Sequence, residues 1–139
     1  MQQALEGGCF CGAVRFRING LVDSATHCHC EFCRRSVGAP LVTWVSVRRD
    51  EIEWSGAEPR AYRHRSDWPT PIVRRFCGEC GTSLTYEREG SEDLDVTAVS
   101  LDDCEAVRPD HHVYISRRVS WLPVADDLPQ YETNRSDSE

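Results

Sequence analysis

Gly8-Cys9-Phe10-Cys11-Gly12-Ala13-Val14-Arg15-Phe16-Arg17-Ile18 carries two signals in one short stretch. Val14, Phe16 and Ile18 alternate with Arg15 and Arg17, the period-two pattern of a half-buried strand. Directly before that strand stand two thiols one residue apart, with Gly12 to permit a tight turn. Asn19-Gly20 then gives a turn at the strand's far end. The strand therefore starts at a candidate metal-binding pair, and two sulfurs need two further ligands from elsewhere in the chain.

Outward from this stretch the pattern stays β. Leu41 to Val47 is apolar and β-branched; Ile52 and Trp54 mark a short strand ending at Ser55-Gly56, and Ala61 to Arg65 another. Ile72 to Phe76 follows Pro69 and Pro71 and runs into a cysteine turn. Leu84 and Tyr86 alternate with Thr85 and Glu87; Leu94, Val96 and Ala98 alternate with Asp95 and Thr97; Val113 and Ile115 make a last short strand. The one persuasive helix is Glu31 to Val37, ending at Gly38. The expected fold is mainly β, of antiparallel sheets, with at most one or two short helices and no βαβ rhythm. The 139 residues fit one domain, taken as 1–132, with a polar, frayed tail over 133–139.

Composition narrows the function. The net charge is −7, from 16 basic and 23 acidic residues, and every basic residue is arginine. An acidic chain without a basic run lacks the footprint of a nucleic-acid binder. No apolar stretch approaches the ~18–20 residues that span a bilayer, and Met1 to Glu6 lacks a signal peptide's apolar segment. The expectation is a cytoplasmic protein without a membrane partner. In that reducing compartment eight cysteines read as metal ligands or catalytic thiols rather than disulfides.

Seven of the eight fall in three clusters: Cys9 and Cys11; Cys28, Cys30 and Cys33; Cys77 and Cys80. Cys77-Gly78-Glu79-Cys80-Gly81 is an ordinary zinc knuckle, and with Cys9 and Cys11 it makes a closed four-sulfur set, structural by default. Cys28, Cys30 and Cys33 have three readings. They form a catalytic zinc site with an open fourth position, a second structural zinc closed by His27 or His29, or a metal-free redox cluster. Cys104 stands alone and reads as an ordinary small side chain.

Three motifs carry a resemblance to a known family. They are Gly8-Cys9-Phe10-Cys11-Gly12-Ala13-Val14-Arg15-Phe16; His27-Cys28-His29-Cys30-Glu31-Phe32-Cys33-Arg34-Arg35 with Gly38-Ala39-Pro40; and Arg75-Phe76-Cys77-Gly78-Glu79-Cys80-Gly81-Thr82-Ser83-Leu84. Ser100 to Asp103, Pro109 to Tyr114 and Trp121 fit the same pattern. The chain, over residues 5–131, resembles the glutathione-dependent formaldehyde-activating enzymes, a family that takes in centromere protein V. The resemblance implies a zinc-stapled fold of the β-tent type. It implies a structural zinc on Cys9, Cys11, Cys77 and Cys80, and a second zinc, associated with catalysis, on Cys28, Cys30 and Cys33. The activity it implies is condensation of formaldehyde with glutathione to S-hydroxymethylglutathione, a carbon–sulfur lyase reaction.

On that reading a small thiol such as glutathione is the partner. Three thiolates leave a zinc ion with net charge −1, so nearby cations are needed. Arg34 and Arg35 directly follow Cys33 and can also clamp glutathione carboxylates. His29, like His27, flanks Cys28 and is a proton-shuttle candidate. Glu31 reads as a first-turn helix carboxylate. His111 and His112 take opposite faces of a strand, so at most one is expected to point inward. Trp44, Trp54, Trp68 and Trp121 read as packing residues. Two other functions fit the same cysteines: a non-catalytic zinc-stapled binding module, and a redox sensor built on Cys28, Cys30 and Cys33.

Overall fold

The structure is a computed structural model and describes residues 4–135. Its opening strands follow the alternation of the sequence. β1 (Leu5–Gly8), β2 (Val14–Ile18) and β5 (Ile52–Gly56) form an antiparallel three-stranded sheet in the order β1-β2-β5. Val14, Phe16 and Ile18 are buried, and Phe16 lies opposite Trp54 with the rings edge-on at 5.8 Å. Gly7 has no room for a side chain: a Cβ there would lie 2.4 Å from the Ser100 carbonyl oxygen. Its bareness lets β1 bridge to Leu101.

The second sheet has seven strands in the order β10-β3-β4-β9-β8-β7-β6. They are β3 (Ser24–Cys28), β4 (Val42–Arg48), β6 (Arg60–His64), β7 (Ile72–Phe76), β8 (Ser83–Arg88), β9 (Asp93–Thr97) and β10 (His111–Val113). β10 pairs with β3 in parallel; the other pairs are antiparallel. The one α-helix among the described residues, α1 (Glu31–Val37), ends where Gly38 takes a left-handed turn and donates its N–H to the Arg34 carbonyl.

Register decides what each face of the large sheet does. Val45 lies opposite Val96 and Val47 opposite Leu94, and this face joins Val14, Phe16, Ile18 and Leu84 in one buried core. The opposite face carries Thr26 and Cys28 of β3, Trp44 and Ser46 of β4, Asp95 of β9, Tyr86 of β8 and Arg74 of β7. A bulge serves both faces. Arg75 pairs with Thr85 and Phe76 with Ser83, so Leu84 is an extra residue that enters the core while Tyr86 keeps to the other side.

Thr85 carries the one buried side-chain polar atom without a hydrogen-bond partner among the described residues. An isosteric Thr85→Val removes that unpaired hydroxyl. It is expected to raise stability by about 1 kcal/mol, read as a melting temperature a few degrees higher.

The mainly β expectation holds, with differences. β1 and β3 were not foreseen, because Leu-Glu-Gly-Gly and Ser-Ala-Thr-His-Cys show no apolar alternation. Ile115 lies in a 3-10 turn beyond β10 rather than in the strand. His111 and His112 do take opposite faces, but both are buried, because both faces of β10 are covered. Of the expected tail, Thr133 is tied to Tyr114 by a backbone bond of 2.9 Å, and 136–139 lie outside the described residues.

Candidate active site and metal centre

Two turns bring four cysteines together. The Cys9 turn closes with a bond from the Gly12 N–H to the Cys9 carbonyl at 3.1 Å, and the Cys77 turn with one from the Gly81 N–H to the Cys77 carbonyl at 2.9 Å. Gly12 and Gly81 sit at φ +83° and +81°, conformations that favour glycine. Thr82 ties the turns to each other: its Oγ1 accepts the Phe10 N–H at 3.0 Å and lies 3.2 Å from Cys80 Sγ. Backbone N–H groups point at the sulfurs, Val14 at Cys9 (3.2 Å) and Glu79 and Cys80 at Cys77 (3.3 and 3.4 Å).

The spacing fits zinc. Four sulfurs about 2.3 Å from one ion, at the corners of a tetrahedron, lie about 3.8 Å apart. Cys9 and Cys11 are 3.6 Å apart, Cys11 and Cys77 3.8 Å, and all four sulfurs fall within 4.8 Å of one another. The four thiols also perturb one another's proton affinities. Bonds from Thr82 and the Cys11 backbone bring Cys80 down to about 5. The Ala13 N–H lowers Cys11, but its three thiol neighbours and burial outweigh it and push Cys11 up to about 12. Four thiols this close ionise together only around a cation.

The second set is more open. Cys33, on the buried side of α1, lies against both Cys28 and Cys30. The three sulfurs do not close to within 4.8 Å of one another as the first four do. Neighbouring thiols and burial raise Cys30 and Cys33, Cys33 to about 11 through Cys28 first. All three line a cavity of about 210 Å³ on the face of the large sheet opposite the main core. Trp44 and Tyr86 (rings 5.9 Å apart) and Trp68 are among its walls. It shares Phe32, His64 and Arg74 with a wider groove of about 990 Å³.

The cation at these thiols is Arg74. Its Nη2 lies 3.8 Å from Cys33 Sγ, and its other partners are Ser36 Oγ and His64 Nε2, both at 3.0 Å, and the Tyr86 ring at 4.9 Å. Arg34 instead turns back to donate to the His29 carbonyl at 3.2 Å. Arg35 is exposed and lines the outer groove. His29 is 2 % exposed and absent from the cavity wall; its Nε2 meets His112 Nδ1 at 2.9 Å. Burial first, then His112 and His27, lowers its pKa to about 4. Glu31 sits in the first turn of α1, as expected. Of the four tryptophans, Trp54 packs in the core and Trp121 is exposed, whereas Trp44 and Trp68 line the cavity.

Sequence reasoning missed Arg74, Arg88 and Asp95. Arg88 stacks its guanidinium 4.1 Å over the Trp68 ring. Asp95 lies opposite Ser46, where burial pushes its carboxyl up to about 7 against the pull of Arg88 and Ser46. Between about pH 4 and 7 the unfolded chain has released this proton and the folded chain keeps it, so Asp95 costs stability as pH rises through that range. Asp95→Asn is expected to relieve a cost worth up to about 1.4 kcal/mol for each tenfold change in proton affinity. The gain of the variant over the parent, read from denaturant melts, should therefore grow from pH 4 to pH 7. Using the difference isolates Asp95 from His29, whose lowered pKa acts the opposite way.

Together these features define a β protein with a four-thiol cluster that could hold a metal ion and a separate thiol-lined cavity. Residues 4–117 match the family model described as "Glutathione-dependent formaldehyde-activating enzyme", and the chain belongs to that family. It is 29 % identical over 126 residues to a Halomonas elongata protein named "Putative glutathione-dependent formaldehyde-activating enzyme", covering 86 % of this chain and 80 % of that one. A crystal structure of a Rhodobacter sphaeroides protein shares the fold, with a TM-score of 0.57 and 24 % identity over 70 % of this chain and 88 % of the other. Among the described residues no helix is long and apolar enough to cross a membrane.

Proposed function

We propose that this protein is a cytoplasmic, zinc-dependent carbon–sulfur lyase that joins glutathione to formaldehyde or a related aldehyde, as one domain over 1–132. The observation that carries the reading is Cys28, Cys30 and Cys33 opening onto one cavity with Arg74 against Cys33. Cys28, Cys30 and Cys33 would be a fitting donor set for a second zinc. A zinc ion held there would supply a position at which a substrate thiol is acidified.

The chain's own residues do the rest. Arg74 offsets the charge of the thiolates. Arg35 at the outer groove and Arg88 within the cavity suit the two carboxylates of glutathione. Trp44, Trp68 and Tyr86 exclude water and stack on the peptide's flat amides. In the reaction the thiol sulfur bonds to the aldehyde carbon, the carbonyl π pair moves to oxygen, and the proton lost by sulfur is returned to that oxygen; nothing is oxidised. Asp95, with its pKa near neutral, is suited to hold that proton at a carboxylate oxygen. His29 positions: its anchor to His112 fixes the backbone between Cys28 and Cys30.

The test is exchange between free and glutathione-bound 13C-formaldehyde, followed by magnetisation-transfer NMR with zinc-loaded protein. The exchange rate should rise in proportion to protein. A rate that stays at the buffer value would remove the enzyme reading and leave the same cysteines to a binding module or a redox sensor.

A further inference from the structure

A second cluster of ligand-bearing side chains lies on the far side of the large sheet. β10 pairs with β3 so that His112 stands beside His27. Cys28 faces the thiol cavity, so His27, one residue away, faces the other side. Asp126 approaches there from the segment that folds back along β10, where the His112 N–H bonds the Pro129 carbonyl. One ring nitrogen from each histidine and one Asp126 oxygen lie within 4.8 Å of one another.

Both rings are held from behind. His27 Nδ1 meets Thr43 Oγ1 at 2.9 Å, and His112 Nδ1 meets His29 Nε2 at 2.9 Å. That leaves both Nε2 atoms for a shared ligand, and His112 Nε2 lies 3.0 Å from each Asp126 oxygen. We propose that His27, His112 and Asp126 bind a divalent cation of the zinc, nickel, cobalt or ferrous class, at a centre separate from both cysteine sets. Two imidazoles and a carboxylate are donors that such borderline ions accept. Metal-binding histidines characteristically give their other ring nitrogen to a fixed partner, here Thr43 and His29. Nitrogen and oxygen ligands about 2.0–2.1 Å from one ion lie roughly 3.0–3.4 Å apart, close to the His112–Asp126 spacing. The Asp126 side chain is 43 % exposed, which gives the ion an entry, and water fills the remaining positions.

The experiment is titration of the full chain, reduced and with its cysteine sites filled by zinc, with Co2+. One further ion should bind. Its visible spectrum should lack a sulfur-to-cobalt charge-transfer band, and its paramagnetism should broaden the ring signals of His27 and His112. Asp126→Asn keeps an acceptor for His112 on an exposed segment, so the fold survives; it should weaken cobalt binding tenfold or more. Thr43→Val should weaken it about 10-fold through ring orientation alone. No further ion bound, a bound ion carrying the sulfur band, or unchanged affinity in Asp126→Asn would each overturn the proposal.

Discussion

Cys77→Ser is expected to unfold the protein. Cys77 is 1 % exposed, accepts two backbone N–H groups, and joins the turn at 77–81 to the turn at 9–12. That link crosses the molecule, since Cys9 leads into β2 of the small sheet and Cys77 follows β7 of the large one. The free energy of a structural zinc in a small domain is about 10–16 kcal/mol at neutral pH. The net stability of a domain is about 5–15 kcal/mol. Losing one thiolate therefore removes a contribution as large as the whole margin. Near-ultraviolet circular dichroism should lose its native signal in Cys77→Ser, and the wild-type chain should do the same when stripped by a strong chelator. Cys104→Ser is the control: Cys104 is exposed, and the change should stay within about 0.5 kcal/mol. A Cys77→Ser chain that melts within a few degrees of the parent would remove the four-thiol centre from the account of stability.

Cys33→Ser should leave the fold standing and abolish turnover. Cys33 is the sulfur that meets both Cys28 and Cys30 and the one that Arg74 approaches, so every feature of the cavity's chemistry converges on it. Removing an outer partner of a metal ligand usually costs about 10–100-fold, which is the loss expected for Arg74→Gln. The direct ligand should cost more, and the exchange rate of the glutathione adduct should fall to the buffer value. One cysteine-bound zinc should remain per chain, because the four-thiol centre is untouched. Equal activity in Cys33→Ser and the parent would detach the chemistry from this cavity.

The cysteine clusters were legible because each pair or triplet is made by a local turn, and local turns are written in adjacent residues such as Cys77-Gly78-Glu79-Cys80-Gly81. The register partners were not. Arg74 reads in the sequence only as part of an ordinary strand, and its pairing with Tyr86 and Tyr62 on neighbouring strands is what carries it to Cys33. Arg34 and Arg35 drew the assignment by adjacency, yet the helix turns Arg34 back toward His29. Asp95 looked like the solvent half of an alternating strand, and the same assumption hid the burial of both His111 and His112. The common cause is a sheet covered on both faces, where polar residues of the alternation face a site instead of water. A long sheet with polar, aromatic and charged residues on its second face is the signal that would have found them.

Cobalt substitution of the whole metal complement separates the two cysteine centres, because sulfur-to-cobalt charge-transfer intensity counts thiolates and ignores histidine and carboxylate ligands. The account predicts intensity from all seven clustered thiolates, four from Cys9, Cys11, Cys77 and Cys80 and three from Cys28, Cys30 and Cys33. It also predicts a further rise when glutathione is added, as its sulfur takes the open position. Intensity from the first four thiolates alone, unchanged by glutathione, would contradict it.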